Sequence, residues 1–210
     1  MDGIMLTNYR VRGIKTLEKW AEMSFYKKTF AREVSSRGYN VKGVYGENGT
    51  GKTGLLISAK ILKSIITDPG YLNDRLVQRK LSELVNKKLG YIEFDIEFYA
   101  DLGQREMLYR YHIRLKCNSY GRYFIEKESL LSQKARSHTE KSDYIYEVVN
   151  GDIIQISARD ESAELIREKA KNLLLETSLS SLYTEKFLYL RKEHDDDNLL
   201  IDIVELYLFG

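Results

Sequence analysis

Eight consecutive residues carry the clearest chemical signal in this chain. Gly46-Glu47-Asn48-Gly49-Thr50-Gly51-Lys52-Thr53 fit G-x-x-x-x-G-K-[ST], the pattern of a loop that cradles phosphate. Glycines at 46, 49 and 51 let the backbone curl so that successive N–H groups face inward. Lys52 supplies a point charge for β- and γ-phosphates. The Thr53 hydroxyl suits Mg²⁺, an oxygen-seeking ion that keeps water and phosphate partners. The Gly54 N–H, in the first turn of the helix that should follow, is placed for the α-phosphate. At average residue frequencies this pattern arises by chance in roughly one chain in a hundred of this length, so its setting matters.

That chemistry needs a strand before the loop and a helix after it. Asn40–Tyr45 is short and β-prone. Leu55, Leu56, Ala59, Leu62, Ile65 and Ile66 recur at helical spacing, which predicts a helix over Lys52–Thr67 ended by Asp68-Pro69-Gly70. A second amphipathic helix is expected over Asn73–Lys87. Strands are expected at Met5–Arg10 and Trp20–Tyr26, then at Tyr91–Ala100 and Met107–Lys116, which alternate apolar and polar residues and pair around Gly103. Tyr120–Leu131, Tyr144–Val149 and Asp152–Ser157 continue the antiparallel pattern, with Asn150-Gly151 as the strongest hairpin turn. Ser132–Asp143 reads as a polar loop. Glu161–Leu175 and Asn198–Phe209 read as amphipathic helices.

Composition sets bounds. The 210 residues make one large domain, or a domain with an appendage, and 43% apolar with 30% charged residues is an ordinary globular balance. No apolar run reaches the length of a membrane-spanning helix, Met1–Thr7 lacks the features of a signal peptide, and the single cysteine, Cys117, forms no internal disulfide. A cytoplasmic protein is expected. The net charge of +2 is too balanced to declare a nucleic-acid binder. The stretch Arg10–Lys42 is nonetheless basic, and it leaves nucleic acid as a possible partner.

The inner letters of the loop, Asn48-Gly49, resemble the G-x-N-G-x-G-K-[ST] form found in ABC and SMC-like ATPases, and no guanine-reading N-K-x-D is present. Leu6-Thr7-Asn8-Tyr9-Arg10 is similar to the first strand and "NFR" or "NYR" turn of SMC-like heads. That segment lies near the nucleotide in the family, and a basic residue there can contact it. Val11-Arg12 intervene here before Gly13-Ile14-Lys15, so Arg10 or Arg12 would take that part. Phe94-Asp95-Ile96-Glu97-Phe98, Tyr109-Arg110-Tyr111 and Ile125-Glu126-Lys127-Glu128-Ser129-Leu130 resemble the strand motifs of AAA-type, ABC-like ATPases of prokaryotic defence and abortive-infection systems.

The resemblance implies an α/β fold: a P-loop NTPase core, as in the N-terminal lobe of an ABC/SMC-like head, with an antiparallel β subdomain and peripheral helices. Its divisions are 1–68 (first strands, loop and helix), 69–90 (helix), 91–158 (antiparallel β) and 159–210 (helical). It implies MgATP as ligand, with Gly46 to Gly54 and Arg10 as binding residues and Thr53 on the metal. It further implies a second head as partner, engaged on ATP binding and released by hydrolysis. The family also needs a signature loop, a Walker B strand with a water-orienting glutamate, and a switch histidine. Ile153–Glu161, Leu199–Asp202 and Leu179–Leu182 are poor matches to them. The expectation is an N-terminal lobe whose C-terminal half lies elsewhere, binding nucleotide with very slow hydrolysis. The apolar face of the last helix, ending at Gly210 with nothing after it, points the same way. A nucleotide-sensing or scaffold module without turnover is the alternative. A small-molecule kinase ranks last, with Arg75 and Arg79 as its only lid candidates.

Other residues read more plainly. His194-Asp195-Asp196-Asp197 suits a hard cation in principle and a solvated loop more simply. His112 reads as a sheet residue, His138 as part of a polar loop and Cys117 as a strand end. Glu93, Asp95 and Glu97 share one strand face. That row could form a nuclease-like carboxylate cluster, but its ordinary reading is a polar face turned to solvent.

Overall fold

The computed structural model describes residues 3–26, 43–47, 49–101, 106–135, 142–156 and 175. Among them, β1 (Gly3–Arg12) and β2 (Ala21–Ser24) lead to helix α1 (Lys52–Thr67). A single 3₁₀ turn (Tyr71–Asn73) and helix α2 (Arg75–Leu84) follow. Five strands complete the order: β3 (Tyr91–Asp101), β4 (Glu106–Cys117), β5 (Tyr123–Lys134), β6 (Asp143–Val149) and β7 (Asp152–Ile156).

All seven strands form one sheet in the order β2-β1-β3-β4-β5-β6-β7, and every neighbouring pair is antiparallel. This overturns the expected α/β P-loop NTPase core. The antiparallel strands are the fold itself, and the two α-helices are its only helical layer among the described residues. The physical reason lies in the connections and the faces. Parallel neighbours need a crossover of a dozen or more residues between strands, and they bury both faces. Here β3 to β7 follow one another through short links, and each alternates an apolar with a polar face. The only long insertion, carrying α1 and α2, separates β2 from β3. The strand expected at Asn40–Tyr45 is also corrected: residues 43–47 run into the loop without strand pairing, and 40–42 lie outside the described residues.

The alternation assigns the two faces. Tyr9 and Val11 on β1, Phe94 and Ile96 on β3, and Tyr111 and Ile113 on β4 are neighbours across the strands, and all are buried. Leu55, Ile61, Leu62, Ile65 and Ile66 of α1 and Leu81 and Leu84 of α2 belong to the same core. Each such side chain withdrawn from water contributes about 1.5–3 kcal/mol. The Asn150-Gly151 turn joins β6 to β7 with φ 52° and 85°, the left-handed pair that a two-residue hairpin of matching twist requires. No helix among the described residues is long and apolar enough to cross a membrane.

Candidate functional site

The phosphate-type loop enters α1 through Gly51, which stands at φ 96°. A Cβ at that position would lie 2.4 Å from Leu17 Cδ2. Glycine is therefore required twice, by backbone conformation and by space. Helix α1 starts at Lys52 with no side-chain cap and no acidic residue in its first turn. Its first helical hydrogen bond runs from Leu55 N to Gly51 O (2.9 Å). The N–H groups of Lys52, Thr53 and Gly54 therefore have no acceptor within the helix. Helix α2 differs: the Asp74 carboxylate caps it by accepting from Leu76 N at 2.7 Å.

Lys52 folds back over the loop. Its Nζ donates to Gly46 O and Glu47 O, both at 2.5 Å. An ammonium has three donors, so one N–H remains beyond these two. Thr50 closes the bend by donating from Oγ1 to Glu47 O at 2.8 Å. Thr53 is exposed and Gly54 buried. Asn48 lies outside the described residues. N–H groups without a helical acceptor, a positive helix end and an ammonium on one short loop are donors of the kind a polyanion takes.

A further segment meets this loop that sequence reasoning did not select. Thr16 Oγ1 lies 3.4 Å from Gly49 O, and Leu17 and Ile14 pack beside Gly54. The turn Gly13–Leu17 is therefore the neighbour of the loop's second half. The only signal for it in the sequence is Gly13 at the end of a strand.

Arg10, expected at the nucleotide, is placed elsewhere. Tyr9 and Val11 point to the face that carries α1. Strand alternation turns Arg10 and Arg12 to the other face, where each meets a carboxylate of β3. Arg10 pairs with Asp95, which also receives Arg110 through Nε (2.7 Å) and a terminal nitrogen (2.6 Å). Arg12 Nε donates to Glu93 Oε2 at 2.6 Å. The second oxygen of Glu93 takes a terminal nitrogen of Arg114 at 2.6 Å and His112 Nε2 at 2.8 Å. Trp20 lies against both Arg10 and Arg12, at 5.3 and 4.7 Å.

Glu93 and Asp95 are thus buried under arginines, which corrects the reading of a solvent-facing acidic row. Burial alone pushes Glu93 up. Hydrogen bonds from His112, Arg114 and Arg12 outweigh it and hold the carboxyl at about 2. Asp95 follows the same balance: burial raises it, and Arg110 and then Arg10 bring it below the usual range. No group of three or more potential metal ligands occurs among the described residues. His112 is a sheet residue, and Cys117 ends β4 with Sγ 3.5 Å from Asn118 O. Arg75 and Arg79 are exposed on α2, and Arg79 pairs with Glu83 at 3.5 Å. His138, His194–Asp197, the Leu179–Leu182 and Leu199–Asp202 segments and the helix expected over Asn198–Phe209 all lie outside the described residues. So does the helix of Glu161–Leu175 apart from Leu175.

No family model, curated protein or solved structure matches the chain.

Proposed function

We propose that this chain binds ATP with Mg²⁺ through the loop Gly46–Thr53. One observation carries the reading. The N-terminus of α1 is left uncapped, with no acidic residue in its first turn, while Lys52 doubles back onto the carbonyls of Gly46 and Glu47. That leaves donors of one sign facing a short loop, the provision an oligophosphate needs. Thr53, exposed on the first turn, is the side chain for Mg²⁺. The adenine preference is what the resemblance of the chain to ABC and SMC-like ATPases implies.

The proposal rests on the loop and needs no parallel sheet behind it. By the same resemblance, turnover requires a signature loop and a water-orienting carboxylate, supplied by a second head or a further part of the ATPase. This chain then contributes binding, in the cytoplasm. Calorimetric titration with MgATP, beside Lys52→Ala, tests it. Binding by the unaltered chain, its loss in the variant and negligible phosphate release are expected. An unaltered chain that shows a native β signal by circular dichroism but binds no MgATP overturns the proposal.

A further inference from the structure

We propose that Leu17 is the positioning residue of the phosphate-type loop: its side chain is the floor that holds Gly51 and Gly54, and with them the N–H groups that meet phosphate, in place. The inference rests on the reading that Gly46–Thr53 binds a nucleoside triphosphate. It assigns an affinity-setting part to an apolar residue that touches no ligand.

Contact is the first argument. A Cβ on Gly51 would lie 2.4 Å from Leu17 Cδ2 and 3.1 Å from its Cγ, and one on Gly54 would lie 3.6 Å from Leu17 Cδ1. One branched side chain therefore reaches both the residue that enters α1 and the first buried residue of that helix. Lys52 and Thr53 stand between those glycines, so the contact spans the N–H groups that have no acceptor within the helix. Ile14 also meets Gly54, at 3.7 Å through its carbonyl, but Leu17 is the side chain nearest to both glycines. A Cβ on Gly49 would meet nothing within 4 Å. The loop is thus backed at its helix end and open at Gly49.

Anchorage is the second. Leu17 N donates to Ile14 O at 2.9 Å, and Leu17 O accepts from Gly13 N at 2.7 Å, so both backbone groups of Leu17 are tied within the turn. The turn is itself fastened to the end of α2: Lys15 N donates to Leu84 O at 2.6 Å, and Asn86 N donates to Gly13 O at 2.9 Å. The backbone of Leu17 is fixed by these bonds, and its side chain packs against the core.

Need is the third. Residues 43–47 pair with no strand, so the chain leading into the loop does not brace it. Lys52 and Thr50 bond the loop's own carbonyls, at Gly46 and Glu47. Those bonds set the bend but not its place on the molecule. The polar contact from outside, Thr16 Oγ1 to Gly49 O, is exposed and long at 3.4 Å. Leu17 is the stronger brace, and donors fixed before a ligand arrives bind it without the cost of ordering them.

The test titrates MgATP by calorimetry, well below the melting temperature, into the full chain and its variants Leu17→Ala, Leu17→Met, Ile65→Val and Lys52→Ala. Re-fixing one freed backbone residue on binding weakens affinity about tenfold, so Leu17→Ala should bind about tenfold less tightly at unchanged stoichiometry. Methionine fills much the same space, and Leu17→Met should recover most of the loss. Ile65→Val removes a buried methyl from α1 away from the loop; it should melt lower and bind normally. In the nucleotide-free chain, Leu17→Ala should speed amide exchange at Leu55, which donates to Gly51 O, and leave Ile65 as it was. If Leu17→Ala binds normally while Lys52→Ala does not bind, the inference fails and the loop reading stands. The same holds if Ile65→Val weakens binding as much as Leu17→Ala, because the loss is then one of general stability. Should Leu17→Ala not fold, Leu17→Val, one methylene shorter than leucine, decides: unchanged affinity with unchanged Leu55 exchange overturns the inference. If the unaltered chain binds no MgATP, the loop reading falls and the inference with it.

Discussion

Acid should weaken this protein through Glu93 in a window fixed by its partners. The carboxyl sits at about 2 in the folded chain, against about 4.3 for an unfolded glutamate. A fall of roughly two units, at 1.36 kcal/mol each, makes about 3 kcal/mol of linked stability. Because the folded value is depressed, that contribution is complete above pH 5 and disappears as the pH falls from 5 towards 2. The side chain is only 4% exposed, so solvent screening removes little of it. The assay is urea unfolding at fixed ionic strength between pH 7 and pH 2.5, for the unaltered chain and Glu93→Gln. At pH 7 the variant should be less stable by about 3–5 kcal/mol, since Arg12 and Arg114 lose the charge that compensates their burial. The gap should narrow by most of the linked 3 kcal/mol as the pH approaches 2.5. Other carboxylates titrate in both proteins and cancel in the difference. A gap that stays constant with pH would show that the arginines do not hold Glu93 ionised, and the account of this network would be wrong.

Four further outcomes follow from other contacts. Ser58 donates to Leu55 O, so the Tyr9 hydroxyl must donate to Ser58 across 2.7 Å in the core; Ser58→Ala should cost about 1–3 kcal/mol in denaturant unfolding, and Tyr9→Phe less, because it leaves no buried donor unpaired. Gly13→Ala, which drives a Cβ into the Tyr91 carbonyl, should lose more than about 4 kcal/mol and yield no soluble folded chain. Gly51→Ala should cost about 2 kcal/mol in thermal unfolding, since Leu17 can swing aside but the left-handed backbone cannot relax, and it should abolish MgATP binding in the same titration. Arg10→Ala should lower stability by about 1–2 kcal/mol while leaving nucleotide affinity unchanged, because Arg110 still holds Asp95 and this face is turned away from α1.

Local pattern was legible wherever one residue type dictated one geometry. The bounds of α1 followed from apolar spacing and the Asp68-Pro69 stop. The strands from Tyr91 to Ile156 followed from two-residue alternation, and the β6–β7 hairpin from Asn150-Gly151, except that β5 starts at Tyr123 and runs to Lys134, into the stretch read as a polar loop, because Ser132 to Lys134 pair with β4. Helix α2 shows where local reading ends. Its pattern extends to Lys87, yet the helix stops at Leu84 because Val85 leaves it to bridge Ile14 of the turn. That contact spans some seventy residues, and no local propensity encodes it. The carboxylate row on β3 was visible, but the arginines that cover it come from β1 and β4, and their register is a property of the assembled sheet. The resemblance of the loop to ABC and SMC-like ATPases led to an α/β P-loop core, and a single seven-stranded sheet with every neighbouring pair antiparallel overturned it. The loop chemistry and the sheet topology are separate inferences, and only the second was decided by long-range pairing.

Strand β1 links the two halves of the molecule. Beyond the irregularity at Thr7, Tyr9 and Val11 face α1: Tyr9 reaches Ser58, and Val11 enters the core. Arg10 and Arg12, on the other face, fasten the strand to β3 through Asp95 and Glu93. The chain then turns at Gly13 and places Ile14, Thr16 and Leu17 against the loop at the head of α1. One strand therefore sets both the body of the helix, through Tyr9, and the start of the helix, through Leu17. The arginine network on the far side keeps that strand in register with β3. The loop is held against a rigid support although residues 43–47, which lead into it, pair with no strand. This division assigns register of the strand to the arginine face and packing against the loop to the turn.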